Sequence, residues 1–130
     1  MAISEAPAPV AQCPERLTVA CLCADWCGTC RDYRAVFDAA LQAQPDARGL
    51  WIDIEDQAEL LGAVEIDDFP TLLIARGDAP LFFGTVTPHA ATLLRLLQAA
   101  CAGQSHLGGD EPDAAVQALA SRLRGAQSAR

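Results

Sequence analysis

The sequence predicts an α/β fold in which helices cover both faces of a mixed central sheet of about four strands. Short apolar runs that suit buried strands alternate with segments whose apolar residues recur every three or four positions, as in amphipathic helices. The last two apolar runs are separated by a tight turn and form an antiparallel hairpin, and a further helix follows them. The predicted order is strand, helix, strand, helix, strand, strand, helix.

The chain has 130 residues, which is within the usual size of a single domain. Residues 1–15 are rich in proline and predict an extended lead-in. Residues 16–102 contain all of the strongly patterned segments and are predicted to form the domain. Residues 103–130 begin as a polar linker, and their weak amphipathic pattern over 113–123 predicts either a C-terminal helix or a disordered tail.

The first half of the domain contains two strands and two helices. Residues 17–23 form an apolar run typical of a strand that is buried on both faces. A helix is predicted over 28–43, a second buried strand over 49–54 and a short helix over 56–63. The first helix owes its prediction to the apolar residues Tyr33, Val36, Phe37, Ala40 and Leu41.

The second half contains the hairpin and a covering helix. Strands are predicted over 70–75 and 81–85, joined by a turn over 76–80. Thr87 is a suitable N-cap and Pro88 a suitable first helical residue, so the last helix is predicted to begin there. Its apolar stripe consists of Ala91, Leu94, Leu97 and Cys101.

Charge and hydropathy exclude several classes of partner. The formal net charge of -8 disfavours binding to nucleic acid or to anionic membranes, which are negatively charged themselves. No apolar run approaches the roughly 20 residues of a membrane-spanning helix. The N-terminal residues show neither a basic region nor a following apolar region of a secretory signal. We therefore expect a cytoplasmic protein with no nucleic-acid and no membrane partner.

The cysteines are unevenly distributed. Four of the six lie between residues 21 and 30, whereas Cys13 and Cys101 are isolated and are interpreted as incidental. In a reducing compartment such clustering indicates redox chemistry or metal binding rather than structural disulfides.

Cys27 and Cys30 form a Cys-x-x-Cys motif where a buried strand gives way to a helix. The free N–H groups and the dipole of a helix N-terminus stabilise a thiolate, which makes Cys27 the candidate nucleophile. Cys30 lies about one turn further along and is the candidate resolving thiol. The motif alone is a weak signal, because half of a zinc site has the same spacing.

Two segments resemble motifs of the thioredoxin family. They are residues 24–30 (ADWCGTC) and residues 69–74 (FPTLLI). The resemblance extends over residues 17–102 and implies a thioredoxin-like fold with disulfide oxidoreductase activity through Cys27 and Cys30.

The resemblance also implies a substrate groove. Pro70 would be a cis-proline that faces the dithiol, and the backbone of Phe69 would pair with an extended substrate segment. Pro70 also fits a strand-edge proline, and Gly84 fits either a groove-flanking glycine or an ordinary strand-end glycine. The substrate-binding candidates are Trp26, Phe69, Pro70 and Gly84, and the residues that support the motifs are Gly28, Thr29 and Thr71.

The sequence also departs from the family pattern. Cys21 stands where thioredoxins usually have a buried acid, Cys23 replaces a tryptophan and Thr29 replaces a proline. These differences imply a thioredoxin-like reductant with a narrower range of partners.

Cys21 and Cys23 alternate along the first strand, so both side chains point to the face beneath the active-site helix. Three interpretations are open. The two cysteines could be apolar core residues. They could be auxiliary thiols in a relay in which Cys21 exchanges with Cys30. They could also belong to a zinc site made by Cys21, Cys23, Cys27 and Cys30.

The sequence therefore predicts reversible reduction of protein disulfides through Cys27 and Cys30, as part of cell redox homeostasis. The expected partners are disulfide-containing proteins and, as electron donor, a thioredoxin reductase-like flavoprotein or a small thiol. We expect a monomer that needs no bound cofactor and no metal. The alternatives are a redox-sensing or adaptor module with little turnover and, further away, a zinc-binding cysteine cluster. An isomerase or oxidase would require an oxidising compartment.

Overall fold

The computed structural model describes residues 16–24, 26–66, 68–103, 107 and 113–125. Within these ranges four strands form one sheet in the order β2-β1-β3-β4. The strands are β1 (Leu17–Cys23), β2 (Ala47–Asp53), β3 (Thr71–Arg76) and β4 (Ala79–Thr85). β1 pairs with β2 in parallel and with β3 in antiparallel orientation, and β3 and β4 form an antiparallel hairpin. The predicted mixed four-stranded sheet is thus confirmed.

Four helices in the described part of the chain cover the sheet. They are α1 (Gly28–Gln42), α2 (Ala58–Leu61), α3 (Ala90–Cys101) and α4 (Ala114–Arg124). Buried residues of α1 and α3 form one core cluster with the sheet, and those of α2 and α4 form a second cluster with its other face. None of these described helices has the length and apolar character needed to cross a membrane.

β1 lies at the centre of the fold, and all of its residues are buried. Val19, Cys21 and Cys23 contribute to the cluster beneath α1 and α3, whereas Ala20 and Leu22 contribute to the opposite cluster. Because side chains alternate along a strand, this sequence, apolar at every position except Thr18, fills both cores at once. It also places two cysteines directly under the helix that carries the Cys-x-x-Cys motif.

Several predicted boundaries differ from the structure. β2 begins at Ala47 rather than at residue 49, α2 covers only Ala58–Leu61, and β4 begins at Ala79, inside the predicted turn. β3 begins at Thr71 rather than at Pro70, which has no N–H for the strand ladder. α3 begins at Ala90 with His89 as its N-cap, so Thr87 does not cap it. The Thr87 hydroxyl instead lies 2.8 Å from that of Thr92, and its carbonyl accepts the His89 N–H at 2.8 Å. Residues 87–89 therefore form a turn ahead of the helix.

The C-terminal segment forms a helix that packs on the sheet, which decides between the two possibilities for residues 113–123. The Asp113 side chain caps α4 by accepting the Val116 N–H at 3.0 Å. One side of α4 is buried in the second core cluster, through Val116, Leu119, Ala120 and Leu123. The predicted lead-in, residues 1–15, lies outside the described residues.

Candidate active site

Cys27 lies at the N-terminus of α1, as its N-cap, with an extended backbone (φ -86°, ψ 122°). Its N–H donates to the Ala24 carbonyl at 3.0 Å, and its carbonyl accepts the Arg31 N–H at 3.1 Å, closing the first helical turn. Its thiol is free and partly exposed. Since the N–H groups of a first turn favour a nearby negative charge, this position suits a thiolate nucleophile.

Cys30, one turn further along, is disulfide-bonded to Cys23 rather than to Cys27. The Cα atoms of Cys23 and Cys30 are 5.8 Å apart, within the usual range for a disulfide. Both residues are buried, because Cys30 lies on the inner side of α1 and Cys23 ends the strand beneath it. The bonded pair in this state is Cys23–Cys30, and the roles of Cys27 as nucleophile and of Cys30 as resolving thiol stay predictions. Cys23 is likewise more than an apolar core residue.

Cys21 is the other free thiol among the described cysteines, and it is fully buried. Its Sγ lies 3.8 Å from that of Cys23. Burial raises the pKa of Cys21 far above its ordinary value, and the Arg34 guanidinium opposes this only in part. Cys21 therefore stays protonated, as expected for an apolar core residue. In the structure Cys30 is bonded to Cys23, whereas the relay interpretation had Cys21 exchange with Cys30.

Tyr33 lies on α1 and is a buried neighbour of Cys21 on β1. Burial raises the pKa of the Tyr33 phenol, and the proximity of Cys21 raises it further by a smaller amount. Its hydroxyl has no hydrogen-bond partner among the described residues. The core beneath α1 is therefore a poor environment for any negative charge.

An aromatic pair lies next to the nucleophile. The Trp26 side chain is 61% exposed, and its ring makes an edge-to-face contact with that of Phe69 at 5.6 Å between centroids. The Trp26 indole N–H donates to Glu55 Oε2 at 2.9 Å. The structure thus brings together two of the predicted substrate-binding residues, one of which directly precedes Cys27 in sequence.

The segment before β3 is held by hydrogen bonds at both ends. The peptide bond between Phe69 and Pro70 is cis, and Pro70 is buried. The Pro70 carbonyl accepts the Val86 N–H at 3.0 Å, while the Thr71 hydroxyl donates to the Asp68 carbonyl at 2.6 Å. Thr71 therefore supports the shape of this segment, as a motif-supporting residue should.

The contacts of three predicted motif residues do not reveal a role for them at the site. Gly84 is buried within β4, where it pairs with Leu72. Gly28 and Thr29 are exposed at the start of α1, and a Cβ at Gly28 would meet nothing within 4 Å. The role of Gly84 in a substrate groove therefore stays a prediction.

Known proteins with similar sequences identify the family of this chain. The family model described as Thioredoxin matches residues 8–96. The chain belongs to the thioredoxin family. A Streptomyces coelicolor protein named "Putative thioredoxin 2" is 39% identical over 59 residues, which span 45% of this chain and 44% of that relative.

Two solved structures have the same fold as this thioredoxin-family chain. The germline-specific thioredoxin Deadhead of Drosophila melanogaster is 21% identical with a TM-score of 0.57, covering 65% of this chain and 80% of its own. Fasciola hepatica thioredoxin is 20% identical with a TM-score of 0.58, covering 66% and 81%. Together with the disulfide-distance cysteine pair, family membership gives this chain the chemical groups of a thiol–disulfide oxidoreductase.

The zinc interpretation does not fit this thioredoxin-family site. A four-thiolate zinc site requires four free sulfurs in a tetrahedron, and two of the four clustered cysteines are bonded to each other. Among the described residues no group of three or more His, Cys, Asp or Glu side chains could hold a metal ion. The expectation that Cys101 is incidental was also wrong, since it is disulfide-bonded. Cys13 lies outside the described residues.

Arg34 and Trp51 lie beside the motif but were not among the predicted site residues. The Arg34 guanidinium lies 4.9 Å from the centre of the Trp51 ring, a cation–π contact. Together with Ala24, Cys30 and Arg31 they line a cavity of about 210 Å³. The spacing of Arg34, four residues after Cys30 on the same helix, was the available signal.

The buried thiol of Cys21 predicts a pH dependence of stability. An unfolded thiol ionises with a pKa of about 8.5, whereas burial keeps Cys21 protonated in the fold. The unfolded state therefore binds fewer protons above that pH, and the free energy of unfolding should fall by up to about 1.4 kcal/mol per pH unit. We expect urea unfolding of the oxidised protein between pH 7.5 and 10 to show this fall, and Cys21→Ala to show a shallower one. Equal slopes would show that Cys21 ionises as readily in the fold as in the unfolded chain.

Proposed function

We propose that the chain is a dithiol–disulfide oxidoreductase that reduces protein disulfides. The observation that carries this proposal is the free, partly exposed Cys27 thiol at the N-terminus of α1, one turn before a second redox-capable cysteine, Cys30. The two structural neighbours described above are named thioredoxins. Protein disulfides are the substrate class that this pair of thiols suits.

The reaction has two exchange steps. The Cys27 thiolate attacks one sulfur of the substrate disulfide, forming a mixed disulfide and releasing the other substrate sulfur as a thiolate. Cys30 then attacks the Cys27 sulfur, so that the Cys27–Cys30 bond forms and the second substrate thiol leaves. Two electrons pass from the dithiol to the substrate, and the released thiolates take up the protons of the two cysteines.

The aromatic pair supports binding of an extended substrate segment. Trp26 offers an exposed ring directly beside the nucleophile, and the hydrogen bond to Glu55 holds its orientation. Phe69 makes an edge-to-face contact with this ring and is followed by Pro70, which has no N–H group. We therefore assign substrate contact to Trp26 and to the backbone of Phe69, with Gly84 at the end of the groove.

The sulfurs carry the electrons, so the reaction needs no bound cofactor. We propose a thioredoxin reductase-like flavoprotein or a small thiol as the electron donor, and the cytoplasm as the compartment. In such a reducing compartment the clustering of four cysteines favours redox chemistry over structural disulfides. The adaptor alternative is favoured by one observation: with Cys30 bonded to Cys23, the resolving thiol is occupied.

Sustained turnover tests this function. We expect the protein to accelerate reduction of a protein disulfide such as insulin when NADPH and a thioredoxin reductase, or glutathione with its reductase, supply electrons. The rate should rise in proportion to the protein concentration and continue after the protein's own thiols are spent. A burst limited to those thiols, with every donor, would instead indicate the adaptor module.

A further inference from the structure

The disulfide-exchange mechanism above leaves one redox-active residue unused. We propose that Cys23 is a third redox cysteine, which draws the disulfide from Cys27–Cys30 into the core as Cys23–Cys30 and returns Cys27 to a free thiol. The proposal rests on the proposed function only for its first step, the formation of Cys27–Cys30. Any disulfide that oxidises this pair, including a small one, can supply that step.

Cys30 has two partners within reach on different sides. Cys27 precedes it by one helical turn at the surface, and residues three apart on a helix are neighbours. Cys23 lies beneath it at the end of β1 and is bonded to it in the structure. Cys23 and Cys30 are each 1% exposed, whereas Cys27 is partly exposed. External reagents therefore meet Cys27 first.

The exchange balances without any further oxidant. The Cys23 thiolate attacks the Cys30 sulfur of Cys27–Cys30, the Cys23–Cys30 bond forms and the Cys27–Cys30 bond breaks. Cys27 leaves as a thiolate and takes up the proton that Cys23 gave up. The substrate disulfide has already removed the two electrons, so the step moves the bond and changes no oxidation state.

The environments of the two sulfurs give the exchange its direction. Before the exchange the unbonded sulfur is Cys23, in an apolar core where a thiolate is disfavoured by desolvation. After it the unbonded sulfur is Cys27, which is partly exposed to solvent at the N-terminus of α1. A thiolate released at this position keeps its hydration, so Cys27 is the better leaving group.

The exchange ends at Cys23. Cys21 lies 3.8 Å away from the Cys23 sulfur, yet it is a free thiol in the structure while Cys23 stays bonded to Cys30. Its position two residues before Cys23 on the same strand also makes it a matched control. Cys21 shares the burial of Cys23 and is not bonded to Cys30.

This exchange changes what the oxidised protein can do. In a two-cysteine site oxidation consumes the nucleophile, whereas here the oxidised chain still presents Cys27. Because Cys30 is held by Cys23, a mixed disulfide formed at Cys27 has no resolving thiol. We therefore expect the oxidised protein to capture a second disulfide as a long-lived adduct, which makes it a redox-dependent binding site for proteins or small molecules that carry disulfides.

Disulfide mapping tests the proposal directly. The reduced full chain is oxidised with one equivalent of a small disulfide, which leaves no excess to react with the freed Cys27, and free thiols are then blocked with N-ethylmaleimide before chymotryptic digestion. Cleavage after Trp26 separates Cys23 from Cys27 and Cys30. We expect the wild type to give two disulfide-linked peptides with N-ethylmaleimide on Cys27. Cys23→Ala should give one peptide with an internal Cys27–Cys30 bond and no label on Cys27, and Cys21→Ala should match the wild type.

A wild-type digest with the internal Cys27–Cys30 bond and an unlabelled Cys27 would overturn the proposal, and that measurement needs no variant that must fold. The turnover assay separates this failure from failure of the proposed function. Normal protein-disulfide reduction with a Cys27–Cys30 map contradicts the exchange alone. Linked peptides without turnover under any donor contradict the reductase function alone and leave the exchange in place.

Discussion

Cys27→Ser is expected to reduce protein-disulfide reduction to the background of the electron donor alone, because the hydroxyl cannot act as the attacking thiolate. Cys30→Ser should attack the substrate normally and then stall as a mixed disulfide, since only the resolving step is lost. The rates can be followed by NADPH oxidation in the coupled assay. The stalled adduct should appear by intact-protein mass spectrometry and disappear with dithiothreitol.

Cys21→Ala serves as the control, because Cys21 is buried in the same cluster and takes no part in the exchange steps. It should keep the wild-type rate. If Cys30→Ser turned over at the wild-type rate, the nucleophile and resolving roles would have to be reassigned. If Cys27→Ser kept its activity, Cys27 would not be the attacking thiol.

The central part of the fold follows from the sequence because its patterns are local. β1 is an unbroken apolar run, and α1 repeats its apolar residues with the helical period, so each element is recognisable by itself. The start of α3 was misplaced since Thr87 and Pro88 form a good local cap signal. A contact with Thr92, five residues later, competes with that signal. The docking of α4 depends on a sheet face that its own weak pattern does not reveal.

The site shows the same division between local and distant information. Spacing identifies Cys27 and Cys30, and alternation along the strand correctly places Cys21 and Cys23 on the face beneath α1. The bond between Cys23 and Cys30 has no short motif. Which of the two strand cysteines meets Cys30 depends on how α1 crosses the end of β1, a relation that the sequence pattern does not contain. The same crossing brings Arg34 over Trp51.

Leu123→Ala is expected to destabilise the fold strongly. Leu123 is fully buried between α4 and the sheet, in the cluster that includes Leu22 of β1. Replacing a buried leucine by alanine removes apolar contacts and leaves a cavity, at about 2 to 5 kcal/mol. Since domains of this size are stable by about 5 to 15 kcal/mol, the midpoint of urea unfolding should fall strongly.

Polar contacts fix the C-terminal end of α4 and make this packing specific. The Arg48 side chain donates to the Leu123 carbonyl, and Arg122 donates to the Leu60 and Leu61 carbonyls at 2.7 and 3.0 Å. These bonds use backbone atoms or other side chains, so Leu123→Ala leaves them in place. The loss of stability should therefore reflect the apolar contacts of one side chain.

The matched control is Ser121→Ala, an exposed position on the same helix, which should change the free energy of unfolding by no more than about 0.5 kcal/mol. Because Leu123 and Cys23 lie on opposite faces of the sheet, the folded Leu123→Ala protein should reduce disulfides at the wild-type rate in the absence of urea. An unfolding midpoint equal to that of Ser121→Ala would show that α4 does not pack on the sheet in solution. Lost activity in a folded Leu123→Ala protein would instead show that the α4 face is coupled to the cysteines across β1.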